Sequence, residues 1–326
     1  MPRVALLSNP RSTGNRSLLP RVRSFCAEQK DIFHYEVEHV EQIGEALRTI
    51  ARVKPKVLVI NGGDGTVQAT LTELFHGGHF GEEVPPVAVL PNGKTNLIAL
   101  DLGAEGDPIE ALKRVMEIAA SDMKPHIVSR ELISLTHGGG AGKPVLGMFL
   151  GGAGLADTIL YCRHNIYPLG LPNALAHAIA LLLGILSVVV HRRVRFLPMR
   201  QGRLKVSVLR HGELQGHFAL LMVTTLQRLL FKSNLPGAGA GVRGGAMQLL
   251  VIERSLGSLL SALLAAVRGR LGRNRLKGVH LERGDEIRIE GDHSNLILDG
   301  EMFEANRGRP IVLKPTAPMP FLRLAA

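Results

Sequence analysis

The sequence contains few cysteines and few aromatic residues, and each shortage excludes a class of site. Two cysteines, Cys26 and Cys162, occur among 326 residues, which excludes a disulfide framework and a four-cysteine metal site. Tryptophan is absent, and aromatic residues make up 4% of the chain. Because single-stranded nucleic acids are bound by aromatic rings interleaved with basic residues, we expect no nucleic-acid partner.

Long hydrophobic runs are also missing. The most apolar segment, residues 174–190, is shorter than the roughly 20 residues that a helix needs to cross a bilayer, and we interpret it as a buried helix or the lining of an apolar pocket. The apolar run at residues 4–7 is too short for a signal peptide. We therefore expect a cytoplasmic location.

Acidic side chains are in deficit. The chain has 28 Asp and Glu against 39 Lys and Arg, which gives a formal net charge of +11. Such a balance favours anionic partners, including nucleotide phosphates and acidic lipid surfaces. The hydrophobic content of 45% excludes a disordered chain. A length of 326 residues exceeds the roughly 100–200 residues of a typical domain, so two domains or one large domain are expected.

The first third of the chain alternates short apolar runs with helical patterns. This alternation predicts a Rossmann-like α/β domain with a parallel sheet covered on both faces. Ligands of such sheets bind in the loops beyond the carboxyl ends of the strands. The predicted strands are residues 3–8, 32–37, 56–60 and 87–90, and the predicted helices are residues 17–29, 41–53, 66–75 and 107–120.

The pattern changes after about residue 125. Alternating apolar and polar residues between turns there predict antiparallel strands, and hence a β-rich second domain. The segments concerned are residues 205–209, 218–224, 247–252, 286–289 and 295–298.

One helix of this second region is unusually apolar. Its pattern over residues 255–267 places six side chains on one face, and a cluster of basic residues follows. An apolar face beside cations is typical of a helix that binds an anionic bilayer, although an ordinary core-facing helix with a solvated basic loop is the commoner explanation of such a pattern. The face comprises Leu256, Leu259, Leu260, Leu263, Leu264 and Val267, and the cluster comprises Arg268, Arg270, Arg273, Arg275 and Lys277.

A glycine-rich turn between a strand and a helix is the most informative motif. The apolar strand that ends at Ile60 is followed, after Asn61, by Gly62, Gly63, Asp64, Gly65 and Thr66, where a helix starts. Glycines let backbone N–H groups approach phosphate closely, and the helix N-terminus adds its positive dipole. Because Asp64 would repel phosphate directly, we expect it to act through Mg²⁺ or water.

Two further loops repeat this arrangement. Asn9, Pro10, Ser12 and Gly14 follow the first strand, and the run Pro-Asn-Gly-Lys-Thr-Asn at residues 91–96 follows the strand at 87–90. We expect three phosphate-competent loops at one edge of the sheet. Near the end of the chain, Asp299-Gly300-Glu301 places two carboxylates in a tight turn.

These four motifs, in this order, resemble the diacylglycerol kinase catalytic-domain family, the lipid kinases that include sphingosine and ceramide kinases. The Gly-Gly-Asp-Gly-Thr motif is shared with NAD kinases and phosphofructokinases. The loop at residues 91–96 and the Asp-Gly-Glu turn are the motifs that single out the lipid kinases.

The resemblance implies an α/β ATP-binding domain over residues 1–125, joined by residues 308–326, and a β-sandwich-type lipid-substrate domain over residues 126–307. It implies ATP and Mg²⁺ as cofactors and a lipid hydroxyl as the acceptor, at the inner face of an anionic membrane. Glu301 would be the general base, Asp64 would organise Mg²⁺ and the phosphates, and Asp299 is a candidate second metal ligand. The implied nucleotide-binding residues are Asn9, Pro10, Ser12, Gly14, Gly62, Gly63, Gly65, Thr66, Gly93, Lys94, Thr95 and Asn96.

The chain departs from the family pattern at three places. Lys94 replaces a threonine, Leu97 replaces a frequent aspartate, and Arg243-Gly244-Gly245 stands where bacterial relatives carry Asp-Asp-Gly, so a structural Mg²⁺ site is not expected there. Two other readings stay open, a soluble small-molecule kinase of the NAD kinase superfamily and a non-catalytic nucleotide- or lipid-binding protein. The lipid headgroup, the preferred nucleotide and the oligomeric state are not determined by the sequence.

Overall fold

The computed structural model divides the chain into two compact units. The first comprises residues 1–132 and 317–326, and the second comprises residues 133–316. The sequence predicts these boundaries at residues 125 and 307, so both changes of unit come later along the chain. The structure describes residues 3–93, 96–138, 142–166, 168, 179, 182–186, 202–209, 212–227, 245–272 and 275–325.

A six-stranded sheet forms the centre of the first unit. Its strands are β1 (Val4–Ser8), β2 (Ile32–Glu36), β3 (Val57–Asn61), β4 (Val87–Val89), β5 (Ile127–Arg130) and β18 (Met319–Leu322). Their spatial order is β2-β1-β3-β4-β18-β5. All neighbours pair in parallel except β18 and β5. Strands β1 and β3 are buried along their whole length, as expected for a parallel sheet covered on both faces.

Five helices connect these strands. They are α1 (Asn15–Glu28), α2 (Ile43–Val53), α3 (Asp64–Gly77), α4 (Leu97–Asp101) and α5 (Pro108–Ala120). Helix α5 begins as its sequence predicts, because the Asp107 carboxylate accepts the backbone N–H of Ile109 at 2.8 Å and Pro108 takes the first helical position. Helix α4, with five residues, is too short to show a helical pattern in the sequence.

The second unit consists of two antiparallel six-stranded sheets. One has the order β10-β9-β14-β17-β6-β7 and the other β13-β12-β11-β8-β15-β16. The strands are β6 (Ile133–His137), β7 (Val145–Gly147), β8 (Phe149–Gly152), β9 (Leu204–Val208), β10 (Gly212–Gly216), β11 (Phe218–Thr224), β12 (Met247–Glu253), β13 (Val279–Gly284), β14 (Ile287–Gly291), β15 (Ser294–Leu298), β16 (Glu301–Ala305) and β17 (Ile311–Pro315).

The two sheets share one apolar core. Ile287 and Ile289 of one sheet pack in the same buried cluster as Met247, Leu249 and Val251 of the other. The alternation along β12 thus directs every second side chain between the sheets, as in a β-sandwich. The predicted fold class, a Rossmann-like α/β domain followed by a β-sandwich-type domain, is confirmed.

Helices α6 (Gly154–Tyr161) and α7 (Leu256–Val267) of the second unit lie outside this core. Helix α6 runs into a π-helical turn at Cys162–Ile166. Helix α7 packs on the other face of the sheet that contains β12. Most of the apolar segment at residues 174–190, together with Arg243, Gly244 and Arg273, lies outside the described residues. Within the described ranges, no helix is long and apolar enough to cross a membrane.

Candidate active site

The first candidate loop leaves β1 and is held by the side chain and carbonyl of Asn9. The Asn9 Nδ2 amide donates to Thr66 Oγ1 at 2.9 Å. Its backbone carbonyl accepts from Ser12 Oγ at 3.0 Å and from Asn15 Nδ2 at 2.7 Å. The side chain of Asn9 therefore connects this loop directly to the start of α3, where the Gly-Gly-Asp-Gly-Thr motif lies.

The second candidate loop joins β3 to α3 at that motif. Gly63 is the extended residue before the helix, and Asp64 is the first helical residue. Only glycine fits at position 62, because a Cβ there would lie 2.7 Å from the Thr66 Cβ. The backbone N–H groups at the start of α3 and the helix dipole make this end of the helix favourable for phosphate.

The third candidate loop follows β4 and ends in a left-handed residue. Asn96 has φ 53°, and its Oδ1 accepts the backbone N–H of Gly93 at 2.6 Å. A Cβ at Gly93 would lie 3.3 Å from Asp64 Oδ1 and 3.7 Å from Gly63 Cα. The third loop therefore packs closely against the second. Lys94 and Thr95, which the sequence predicts to bind nucleotide, lie outside the described residues.

A buried network of asparagines ties the three loops together. Asn92 Nδ2 donates to Asn61 Oδ1 at 2.8 Å and also to Asn15 Oδ1. Asn61 Nδ2 in turn donates to Ser8 Oγ at 3.0 Å, and all four residues are buried. A Cβ on Gly14 would clash with Asn92, so the first and third loops are also in direct contact. The network gives the loops one fixed arrangement at the carboxyl ends of β1, β3 and β4.

Sequence reasoning did not single out Ser8, Asn15, Asn61 or Asn92 as site residues. A usable signal was present for two of them, because Ser8 and Asn61 are polar residues that directly end fully apolar strands. Asn15 and Asn92 carry no such local signal, since their bonds to Asn61 span 46 and 31 residues along the chain.

Two titratable groups near this network have shifted pKa values. Burial lowers the pKa of His34, whose Nε2 lies 2.9 Å from Ser8 Oγ, while the charge of Glu36 opposes that shift. Burial also raises the pKa of the Cys26 thiol to about 11. Cys26 is therefore a neutral core residue at physiological pH and not a nucleophile.

Asp299 and Glu301 lie in the second unit, at the turn between β15 and β16. The two-residue turn has φ 42° at Asp299 and 95° at Gly300, the positive values that a type I′ hairpin needs. The buried Asp299 carboxylate accepts two backbone N–H groups, from Met148 at 2.7 Å and from Phe149 at 3.0 Å. Glu301 is exposed at the start of β16.

The surroundings of this turn restrict it further. Arg163 Nη2 donates to the Gly300 carbonyl at 2.8 Å. A Cβ on Gly147 would lie 2.6 Å from Asp299 Oδ2, so the glycine provides the room that the carboxylate occupies. Contacts at both Asp299 and Gly300 therefore fix the conformation of the turn, and with it the direction of β16.

Of the two candidate metal ligands, Asp64 is better suited to Mg²⁺ than Asp299. Asp64 is a half-buried carboxylate where two loops meet, and Mg²⁺ is commonly held by one or two carboxylates together with water and substrate phosphates. The Asp299 oxygens already accept two backbone N–H groups. No group of three or more His, Cys, Asp or Glu side chains able to hold a metal occurs in the described part of the chain.

Most of the first unit is similar to a known protein family. Residues 3–125 match the family model of the diacylglycerol kinase catalytic domain. The curated relative named "Probable lipid kinase YegS-like", from Stenotrophomonas maltophilia (strain K279a), is 31% identical over 113 residues. This match covers 34% of the chain and spans 36% of the length of that relative.

Solved structures share the fold over nearly the whole chain. A crystal structure of a diacylglycerol kinase from Bacillus anthracis str. Sterne has a TM-score of 0.59 at 15% identity, covering 98% of this chain and 96% of that one. Another structure from the same organism has a TM-score of 0.62 at 16% identity, covering 97% and 94%. The predicted resemblance to the diacylglycerol kinase catalytic-domain family is confirmed.

Proposed function

We propose that this protein is an ATP-dependent lipid kinase that transfers the γ-phosphate to a hydroxyl group of a neutral lipid such as diacylglycerol or ceramide. One observation carries the proposal: three phosphate-competent loops, held in contact by the asparagine network, lie in the segment that matches the diacylglycerol kinase catalytic domain. The probable lipid kinase named above is 31% identical to this chain over 113 residues.

The nucleotide would bind across the three loops of the first unit. Backbone N–H groups of the glycine-rich turn and the N-terminus of α3 would bind the phosphates. The side chains of Asn9, Ser12, Thr66 and Asn96 would position the loops and the nucleotide. Mg²⁺, held by Asp64 together with the phosphates, would neutralise the charge that develops on the transferred group.

Glu301 would act as the general base. Its carboxylate would take the proton of the lipid hydroxyl while the hydroxyl oxygen forms a bond to the γ-phosphorus. The bond between that phosphorus and the β–γ bridging oxygen would break, leaving ADP and a phosphorylated lipid. Because both oxygens of Asp299 accept backbone N–H groups, we assign Asp299 the positioning of this turn in preference to metal binding.

The membrane is the natural source of such a substrate. Neutral two-chain lipids are confined to the bilayer, and ATP is available on its cytoplasmic side. We therefore place the reaction at the inner face of the membrane, with the protein bound peripherally. The positive net charge of +11 supports this location, because inner leaflets carry anionic lipids.

The test is transfer of labelled γ-phosphate from ATP with Mg²⁺ to diacylglycerol, ceramide, sphingosine, phosphatidylglycerol or NAD in mixed micelles. We expect a labelled neutral lipid, and a loss of roughly 100-fold or more in kcat for Glu301→Gln and a comparable loss for Asp64→Asn. Glu304→Gln, on the same strand as Glu301, and Asp31→Asn, exposed in the first unit, are the matched controls. Label on NAD alone, or ATP binding without any product, would refute the proposal.

A further inference from the structure

Helix α7 has two apolar faces, of which one packs against the sheet and the other is exposed among the described residues. Ala262 is buried, and Leu259, Ala265 and Ala266 pack with it against the sheet that contains β12. The sequence predicts that Leu259 shares a face with five other apolar residues. The structure separates them: Leu259 packs against the sheet, whereas four of the others are exposed.

The outward residues form a continuous stripe. Leu256, Leu260, Leu264 and Val267 are 41%, 50%, 49% and 67% exposed. Their spacing of four, four and three residues aligns them along one side of a helix. We call these four residues the leucine stripe. Helix α7 contains no charged residue along its whole length, so no side chain of the helix interrupts the stripe with charge.

A group of cations follows the stripe directly. Arg268, Arg270, Arg275 and Lys277 are exposed, and within the described ranges none of them forms an ion pair. We call these four residues the basic segment. An uninterrupted apolar stripe next to uncompensated positive charge matches the boundary of a bilayer, where acyl chains lie beside anionic headgroups.

We propose that α7 is the membrane-docking surface of the protein. The leucine stripe inserts between the acyl chains at the headgroup boundary of an anionic bilayer, and the basic segment binds the headgroup phosphates. The inference rests on the proposed function, because a kinase acting on a membrane lipid needs such a surface. A second copy of the chain fits this face less well than a bilayer, since two molecules of net charge +11 repel each other.

Vesicle co-sedimentation tests the stripe. Wild type is expected to bind phosphatidylcholine vesicles that contain phosphatidylglycerol, and the double variant Leu260→Ser with Leu264→Ser is expected to bind roughly tenfold more weakly or worse. Leu209→Ser is the control, because Leu209 is 54% exposed elsewhere in the second unit. Equal binding by the double variant and wild type would overturn the proposal.

The basic segment is tested in the same assay. Arg268→Glu with Arg270→Glu is expected to weaken binding to the phosphatidylglycerol vesicles by roughly tenfold or more. The difference between these vesicles and vesicles of phosphatidylcholine alone should largely disappear. Arg309→Glu, an exposed arginine of the second unit, should have a smaller effect. An effect of Arg309→Glu as large as that of the double variant would show that general charge, and not α7, binds the membrane.

Insertion can also be observed without removing any apolar residue. The chain contains no tryptophan, so Leu260→Trp places a single fluorescent indole on the stripe. Its emission is expected to shift to shorter wavelength on addition of phosphatidylglycerol vesicles and to be quenched by brominated acyl chains, whereas Leu209→Trp should show neither change. An indole at position 260 that stays in water would overturn the proposal even if the serine variants fail to fold.

Two further outcomes are distinguishable. Sedimentation velocity reports whether the stripe binds a second copy: a dimer that dissociates in the Leu260→Ser and Leu264→Ser variant, with vesicle binding unchanged, would replace the membrane by a second chain. Vesicle binding requires no catalysis. A protein that docks through α7 but phosphorylates no lipid would therefore disprove the proposed function and leave the docking surface in place.

Discussion

At the scale of single residues, buried amides define the candidate site more than charged groups do. Asn15 begins α1, Asn61 ends β3 and Asn92 follows β4, and the three residues are hydrogen-bonded to one another where the candidate loops meet. Each amide both donates and accepts, so the three can satisfy one another without bringing charge into the interior. His34 lies at the end of this network through Ser8, which connects the loops to an imidazole whose pKa is lowered by burial.

His34 makes the stability of the protein depend on pH. Burial lowers the His34 pKa below its ordinary value of 6.5, so the unfolded chain binds a proton at a higher pH than the folded chain does. Stability is therefore complete above about pH 6.5 and falls as the pH decreases through that value. We expect the free energy of unfolding, measured with urea between pH 7.5 and 5.5, to decrease less steeply in His34→Gln than in wild type.

The control for this experiment is His137→Gln, because His137 is exposed at the end of β6. Its pH profile should follow that of wild type. A His34→Gln profile that coincides with the wild-type profile would show that His34 is not protonated preferentially in the unfolded chain.

At the scale of elements, the β15–β16 hairpin shows how a short motif acquires a defined geometry. The Asp-Gly turn predicts a hairpin from sequence alone, but the contacts that hold it come from two segments far away in sequence, residues 147–149 and Arg163. Met148 and Phe149 donate to the Asp299 carboxylate, Arg163 donates to the Gly300 carbonyl, and Gly147 provides space. Under the proposed function, this rigidity keeps Glu301 in position for the lipid hydroxyl.

Two glycines of the second unit should respond in opposite directions to alanine. Gly300 has φ 95°, so Gly300→Ala is expected to decrease the free energy of unfolding by about 1–3 kcal/mol. Gly257 lies in α7, where a Cβ would meet no other atom within 4 Å, so Gly257→Ala is expected to increase it by up to about 1 kcal/mol. Urea unfolding measures both, and changes of the same sign would contradict this account of the turn.

At the scale of the whole molecule, the last ten residues complete the first unit. Strand β18 lies between β4 and β5, and its Phe321 side chain is fully buried. Because β18 follows the second unit in the sequence, the first sheet is complete only when this last strand has joined it. Pairing of this kind between residues far apart in sequence makes the fold of the first unit depend on the end of the chain.

Phe321 is expected to contribute strongly to stability. Phe321→Ala removes a large side chain from a fully buried site and should cost about 3–5 kcal/mol, while Phe321→Leu should cost clearly less. Leu209→Ala, at an exposed position, should change the free energy of unfolding by no more than about 0.5 kcal/mol. Chemical denaturation of the three variants gives these values. An alanine variant as stable as wild type would show that β18 contributes little to the first unit.

The sequence by itself determined the order and type of most elements. Some signals depend only on residues that are close together in the sequence. Examples are the apolar runs of β1 and β3 and the Asp107-Pro108 start of α5. The same holds for the candidate loops, because a strand, a glycine-containing turn and a helix start are adjacent in the chain. The fold class and the family resemblance followed from these local signals.

Only the tertiary structure determined the contacts between residues that are far apart in the sequence. The asparagine network joins residues up to 77 positions apart, Asp299 meets backbone groups about 150 positions earlier, and β18 enters a sheet that begins at the other end of the chain. In α7, periodicity identified an apolar helix but could not divide its residues between the sheet and solvent. Such outcomes depend on which surfaces pack together, and packing is a property of the folded chain as a whole.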